Sequence, residues 1–160
     1  SEKFEYKINW LNYLALLLDQ QEKKGNLVCL LGDFNIAPSN KDIYDPLKFE
    51  GGIMASEIER NALNNVLKGR FIDAFRIFEN NTGHWSWWDY RNNAYELNKG
   101  WRIDHIYLSK TLTPRLKSCV IDSHPRGNLQ PSDHAPVMIN IDLNNLNEYY
   151  FDEEEDFFEI

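Results

Sequence analysis

The stretch LLGDFNIAPSNKDIYDP, Leu30 to Pro46, decides how this chain is read. It begins inside the apolar run LVCLL (27–31), which has strand length and the continuous apolar pattern of a strand buried on both faces of a sheet. Gly32 ends the run. Asp33 and Asn35 follow at alternate positions, so both side chains should project the same way as the strand frays into a loop. A carboxylate there can bind a divalent cation or take a proton from water, and a carboxamide can hold that carboxylate or a substrate oxygen. Gly-Asp and Asn-Ile-Ala-Pro are also good turn formers, so this segment alone does not separate a site from a turn. A second polar cluster, SDHAP (Ser132 to Pro136), lies a hundred residues on and shifts the balance towards a site.

Upstream, Phe4, Ile8, Leu11, Leu14, Leu17 and Leu18 keep the helical period from Glu2 to Lys24, and Gly25 suits the C-terminal cap. Downstream, Ser39 to Gly52 is polar and turn-rich and reads as a loop. Ser56 with Glu59 forms a capping-box pattern ahead of a helix through ERNALNNVL, stopped at Gly69. FIDAFRIF (71–78) is ambiguous and leans to a short helix, and a long aromatic loop runs from Asn80 to Trp101. RIDHIYLS (102–109), KSCVID (117–122) and PVMINIDL (136–143) are strand-like. In the first of these, alternation sends Ile103, His105 and Tyr107 to one face and Asp104, Ile106 and Leu108 to the other. Helices mixed with strands, and long loops at strand ends, predict an α+β domain.

At 160 residues, 42% of them apolar, the chain suits one domain over about 1–145 with an acidic end at 146–160. No apolar run approaches the roughly 20 residues of a membrane span, and SEKFEYKINW is not a signal peptide. The absence of an initiator Met suggests processing or truncation. Cys29 and Cys119 lie in apolar segments without metal-ligand spacing and read as reduced core residues of a cytoplasmic protein. The net charge of −8 is concentrated: seven acidic groups and no Lys or Arg fall between Glu148 and Ile160, and the remainder is near neutrality. Charge therefore neither excludes a DNA-binding body nor demands one. The acidic end is most simply a solvated, disordered tail.

Asp104 lies inside the apolar segment WRIDHIYL, where an unpaired carboxylate would be costly. An imidazole N–H is an apt partner, and His134 of SDHAP is the expected one; His105 points the other way and reads as structural. Hard oxygen donors, a buttressed histidine and an amide suit Mg²⁺-assisted attack of water on a phosphodiester, with Mn²⁺ as a substitute ion. The set is wrong for structural zinc, and the chain has no P-loop, no GxSxG and no dinucleotide fingerprint. Four of the five tryptophans fall between Trp85 and Trp101, beside Tyr90, Arg91, Lys99 and Arg102. Aromatics interleaved with cations can stack on bases or enter a groove while the cations meet phosphates, which makes Trp87, Trp88, Arg91, Trp101 and Arg102 candidate substrate contacts. A hydrophobic mini-core under the loop is the plainer reading, and Trp88 fits that as well.

GDFNIAPSNKDIYDP, ERNAL with GRFIDAFR, SWWDYRNNAYELNKGWRIDHIYLS and PSDHAPV, in that order, resemble the exonuclease III family. These are the apurinic/apyrimidinic endonucleases of the endonuclease–exonuclease–phosphatase superfamily. The resemblance runs from about Lys3 to about Leu143. It implies half of a four-layer α/β/β/α sandwich, with one mostly antiparallel sheet and flanking helices. It also implies Mg²⁺-dependent incision of double-stranded DNA 5′ to abasic sites, with exonuclease action at 3′ ends. By the same resemblance Asp33 orients or deprotonates water, Asn35 holds it and a phosphate oxygen, and Asp133 is a metal ligand. His134, buttressed by Asp104, contacts the phosphate or serves as base. The implied metal-facing set is Asp33, Asn35, Asp133 and His134. Trp87 and Trp101 resemble the wall that receives the flipped-out abasic sugar, and Ile103 completes it. Many bacterial members carry an aliphatic residue in place of Trp101.

Such enzymes also have an N-terminal half supplying a strand Asn, a metal-binding Glu and a Tyr loop. None is assignable here; Glu2, Glu5 and Tyr6 fall on the first helix. The chain is thus expected to be a C-terminal half, acting alone or only with a separate N-terminal half. A phosphodiesterase of another superfamily branch, and an inactive remnant, are the alternatives.

Overall fold

The computed structural model describes residues 1–144; the acidic end expected from 146 onward lies outside the described residues. Helix α1 (Glu2–Lys23) buries Leu11, Ala15 and Leu18, and Gly25 at φ 71 turns the chain out of it. Strand β1 (Cys29–Asp33) follows, then a loop with a 3₁₀ turn (Asn40–Asp42) and the short helix α2 (Pro46–Phe49). Helix α3 (Glu57–Leu67) starts on the expected capping box: Ser56 Oγ accepts the Glu59 N–H at 3.3 Å, and Glu59 reaches back to the Ser56 N–H at 3.1 Å. FIDAFRIF divides between strand β2 (Phe71–Asp73) and helix α4 (Ala74–Phe78). Asp73 makes the division, because its carboxylate accepts the N–H groups of Phe75 and Arg76 and caps the helix just where the strand ends. The aromatic loop then leads to strands β3 (Asp104–Ser109), β4 (Leu116–Ile121) and β5 (Val137–Ile141).

All strand pairings are antiparallel, and the α+β class holds. The strands form two sheets, ordered β1-β3-β2 and β4-β5, where one sheet was expected. The alternation read in RIDHIYL sorts two packing surfaces. Tyr107 faces the layer of α1 and α3, joining Leu11, Leu18, Leu63 and Val66. Ile106 and Leu108 face the second sheet, joining Phe75, Leu116 and Cys119.

Two expectations fail on β1. Leu31 is 64% exposed and Cys29 is exposed, so the run is not buried on both faces and Cys29 is not a core residue. The reason is position in the sheet. β1 is an edge strand, and no strand pairs with its outer side among the described residues. Cys119 is buried as expected, and burial pushes its thiol up to about 11.

Candidate active site

The antiparallel register sets Asp33, the last residue of β1, directly opposite Asp104, the first of β3. Residues paired across a ladder share a face, so the two carboxylates project together from one end of the sheet. The SDHAP loop delivers the third group. Its backbone is clipped to the aromatic loop: Ala135 N–H donates to Ser86 O at 2.8 Å and Trp88 N–H donates to Asp133 O at 3.0 Å. His134 then places Nδ1 2.9 Å from Asp104 Oδ2 and Nε2 3.9 Å from Asp33 Oδ2. Asp33, Asp104 and His134 bring one ligand atom each within 4.8 Å of one another. The Asp104–His134 pairing anticipated from the chain is therefore present.

Burial raises the Asp104 carboxyl above its ordinary value and the nearby Asp33 charge adds to this, against the opposing hydrogen bonds from His134 and Ser86. Asn35 folds back on Asp33: its main-chain N–H donates to Oδ1 and its side-chain amide to Oδ2, both at 2.8 Å. That leaves Asn35 as a holder of the carboxylate. Asp133 is not one of the three, and its Oδ2 accepts the Trp87 indole N–H at 2.9 Å. Of the four residues expected to face a metal, Asp33 and His134 converge beside Asp104, Asn35 holds Asp33, and Asp133 bonds to Trp87. An exposed carboxylate opposite a half-buried one fits a hard divalent cation such as Mg²⁺, which needs only one or two protein carboxylates and keeps much of its water.

The substrate candidates differ in placement, and Trp101 lines a cleft although it is only 5% exposed. Trp87 and Trp101 pair through their backbones, with N–H···O distances of 2.9 Å in both directions. Together with Tyr44, Phe49, Met54 and Arg91 they line a cleft of about 480 Å³. Arg91 is exposed there, paired with Asp89, whose carboxyl the guanidinium hydrogen bonds lower to about 2. Three other candidates do not reach the cleft. Trp88 is buried with Trp85, Ala94 and Ala135 and meets Tyr95 edge-on, so the mini-core reading applies to it. Ile103 is buried against Ala37, Ile43 and Trp101. Arg102 is only 1% exposed: its guanidinium donates to Asp42 at 2.6 Å and to Asp73 at 3.1 and 2.6 Å. Burial opposes that charge, but Asp73 and Asp42 outweigh it and hold the group above its ordinary pKa. A cation so paired is a structural brace.

Sequence reasoning missed Ser86. It is fully buried, and its Oγ accepts the N–H groups of both Ile103 and Asp104 at 3.0 Å. One hydroxyl thus fixes the point where β3 presents its carboxylate. Nothing in the chain marks this serine beyond its place in the quoted SWWDYR segment.

This geometry coincides with likeness to known proteins. The Endonuclease/Exonuclease/phosphatase family model matches residues 1–134. The chain belongs to that family. It is 32% identical over 144 residues to an exodeoxyribonuclease of Bacillus subtilis, covering 89% of this chain and 55% of that protein. Among solved structures, a 3′ phosphatase from Neisseria bound to a product DNA hairpin is 36% identical with a TM-score of 0.85, covering 89% of this chain and 55% of that one. An AP endonuclease from Archaeoglobus fulgidus is 32% identical with a TM-score of 0.82, covering 89% and 56%. The chain spans about half the length of the relatives it matches. The resemblance to the exonuclease III branch, an enzyme family of nucleases, is thereby shown. No helix among the described residues is long and apolar enough to cross a membrane.

Proposed function

We propose that this chain carries the phosphodiester-hydrolysing site of an exonuclease III-type DNA-repair nuclease. Its substrates would be double-stranded DNA incised 5′ to abasic sites and DNA 3′ ends, with Mg²⁺, or Mn²⁺ in its place, as cofactor and the cytoplasm as its location. The observation that carries the reading is the convergence of Asp33, Asp104 and His134 at the strand ends, with the His134–Asp104 contact at 2.9 Å.

In this reading Asp33, held on both oxygens by Asn35, accepts a proton from water or orients it. Asp104 accepts the His134 Nδ1–H, which leaves Nε2 on the open side to meet a phosphate oxygen or to act as base in place of Asp33. The water oxygen bonds to phosphorus as the P–O3′ bond breaks, and the leaving 3′ oxygen takes a proton. A bound Mg²⁺ would be held by Asp33 and Asp104 and would supply positive charge to the phosphoryl oxygens. The cleft of Trp87 and Trp101 beside Asp133 offers an apolar wall to a base-less sugar, with Arg91 at its rim.

A second reading, in which the site works only with a separate N-terminal half, draws on a specific observation. Tyr6, Tyr13 and Leu17 on α1 and Leu31 on β1 are all at least half exposed, so both elements carry open apolar surface. The deciding experiment is nicking of a duplex with one abasic site, with Mg²⁺ and with chelator, alongside Asp33→Ala. Cleavage that needs both Mg²⁺ and Asp33 supports the first reading. A well-folded chain that does not cut, and that cuts once mixed with an N-terminal half, supports the second. Equal action on inositol phosphates would count against a DNA substrate.

A further inference from the structure

Lys7, on the second turn of α1, takes no part in the site as drawn so far. Its Nζ donates to the main-chain oxygen of Asn35 at 3.1 Å and also to the Glu59 carboxylate. Glu59 is fully buried and rigidly held: Oε1 accepts the Met54 N–H at 3.1 Å, and Oε2 accepts the Ser56 N–H at 3.1 Å and the Ser56 hydroxyl at 2.6 Å. The ammonium group therefore sits at a fixed point between α3 and the GDFN turn, on a side chain 19% exposed.

Asn35 needs such a fixed point. Its φ is 49°, in the left-handed region that asparagine visits more readily than most residues but which still carries a cost. In this conformation its main-chain N–H and its side-chain amide both reach Asp33. By fixing the Asn35 carbonyl, Lys7 fixes the backbone from which the side-chain amide reaches the carboxylate. The next residue is anchored too, since Ile36 O lies 2.9 Å from His105 Nε2.

We propose that Lys7 is a positioning residue for hydrolysis: by holding the Asn35 carbonyl, and being held by Glu59, it keeps Asn35 on both oxygens of Asp33. This rests on the nuclease reading of Asp33, and Lys7 itself touches no reacting atom. The bland alternative is that Lys7 only neutralises Glu59.

The test uses the full chain. Lys7→Met leaves a buried carboxylate uncompensated and can unfold the protein, so the informative variant is Lys7→Met with Glu59→Gln, which removes both charges together. The conservative variant Lys7→Arg accompanies it. The first readout is the Asn35 side-chain amide pair in ¹⁵N-labelled protein, assigned by its loss in Asn35→Ala. The second is kcat and KM on the abasic duplex. The double variant should fold, shift or broaden the Asn35 signals, and lose kcat by roughly tenfold or more with KM little changed, as loss of a supporting contact commonly does. Lys7→Arg should restore both. Unmoved Asn35 signals in the folded double variant, or a wild-type kcat, would overturn the proposal. If the wild-type chain cuts no DNA, alone or mixed with an N-terminal half, the nuclease reading fails, and the Asn35 signals still decide whether Lys7 holds the turn.

Discussion

His105 lies one residue from Asp104, and the protein should become less stable in mild acid because of it. The imidazole is 1% exposed, packed between the rings of Phe34 and Tyr107 at centroid distances of 5.8 and 5.4 Å. Nε2 meets Ile36 O at 2.9 Å, while Nδ1 is buried without a partner. A proton added at Nδ1 would create a buried N–H with no acceptor, and burial lowers this histidine from 6.5 to about 4. The folded value is depressed, so the stabilisation is complete above pH 6.5, where the unfolded chain's histidine is also neutral. It is lost as pH falls from 6.5 towards 4, because the unfolded chain takes up a proton that the folded chain refuses. The full difference is about 3 kcal/mol, of which about 2 is lost by pH 5. Urea unfolding of wild type and His105→Gln, at pH 7 and pH 5 in chelator, isolates the effect, since every other titration cancels in the comparison. Between those two pH values wild type should lose about 2 kcal/mol relative to the variant, which cannot titrate at this position. A stability difference that stays constant to within about 0.5 kcal/mol would refute the reasoning, because changes of that size are ordinary for neutral substitutions.

Asp104→Asn should leave the fold intact and lower kcat on the abasic duplex on the order of 10–100-fold, because His134 loses the carboxylate that sets its tautomer; steady-state kinetics with matched circular dichroism checks this. Ser86→Ala strands two buried N–H groups and should cost about 1–3 kcal/mol in urea unfolding. Arg102→Met leaves Asp42 buried without its main counter-charge and should cost about 3–5 kcal/mol, whereas a surface cation serving only DNA would cost almost nothing on removal. Leu31→Lys should change the stability of the isolated chain by less than about 0.5 kcal/mol and, in sedimentation, abolish any association with an N-terminal half.

The local signals in the chain were reliable where the structure depends on near neighbours. The period of α1, the Ser56–Glu59 capping box and the two faces of β3 all follow from residues within a few positions of one another. The errors arise where distant residues decide. LVCLL has the pattern of a doubly buried strand, but exposure of Leu31 depends on what lies beside β1, which no residue in the run specifies. Arg102 sits beside the site carboxylate and resembles a phosphate contact; its partners Asp42 and Asp73 lie 60 and 29 positions away in sequence. Asp133 takes a hydrogen bond from Trp87, 46 positions upstream, that no neighbouring residue announces. Asp104 and His134 were paired correctly across 30 positions because a carboxylate in an apolar strand demands a partner, and few in the chain qualify.

The same long-range contacts explain how so few groups can form a site. Asp33 and Asp104 share a face only because of the β1–β3 register, and a slip of one residue would turn Asp104 towards the α1 layer and bring His105 to the open side. Strand ends are where such slips begin, since pairing there is supported from one direction only. On this chain the residues that lead into Asp104 are held in two ways. Ser86 grips the N–H groups of residues 103 and 104, and Arg102 is fixed to Asp42 in the loop after β1 and to Asp73 at the end of β2. Arg76 adds a second cation on Asp42. These groups are largely buried, yet they set the alignment of the two carboxylates. The site's accuracy is therefore a property of buried polar contacts behind it, and substitutions at Ser86 or Arg102 should impair hydrolysis even in protein that remains folded.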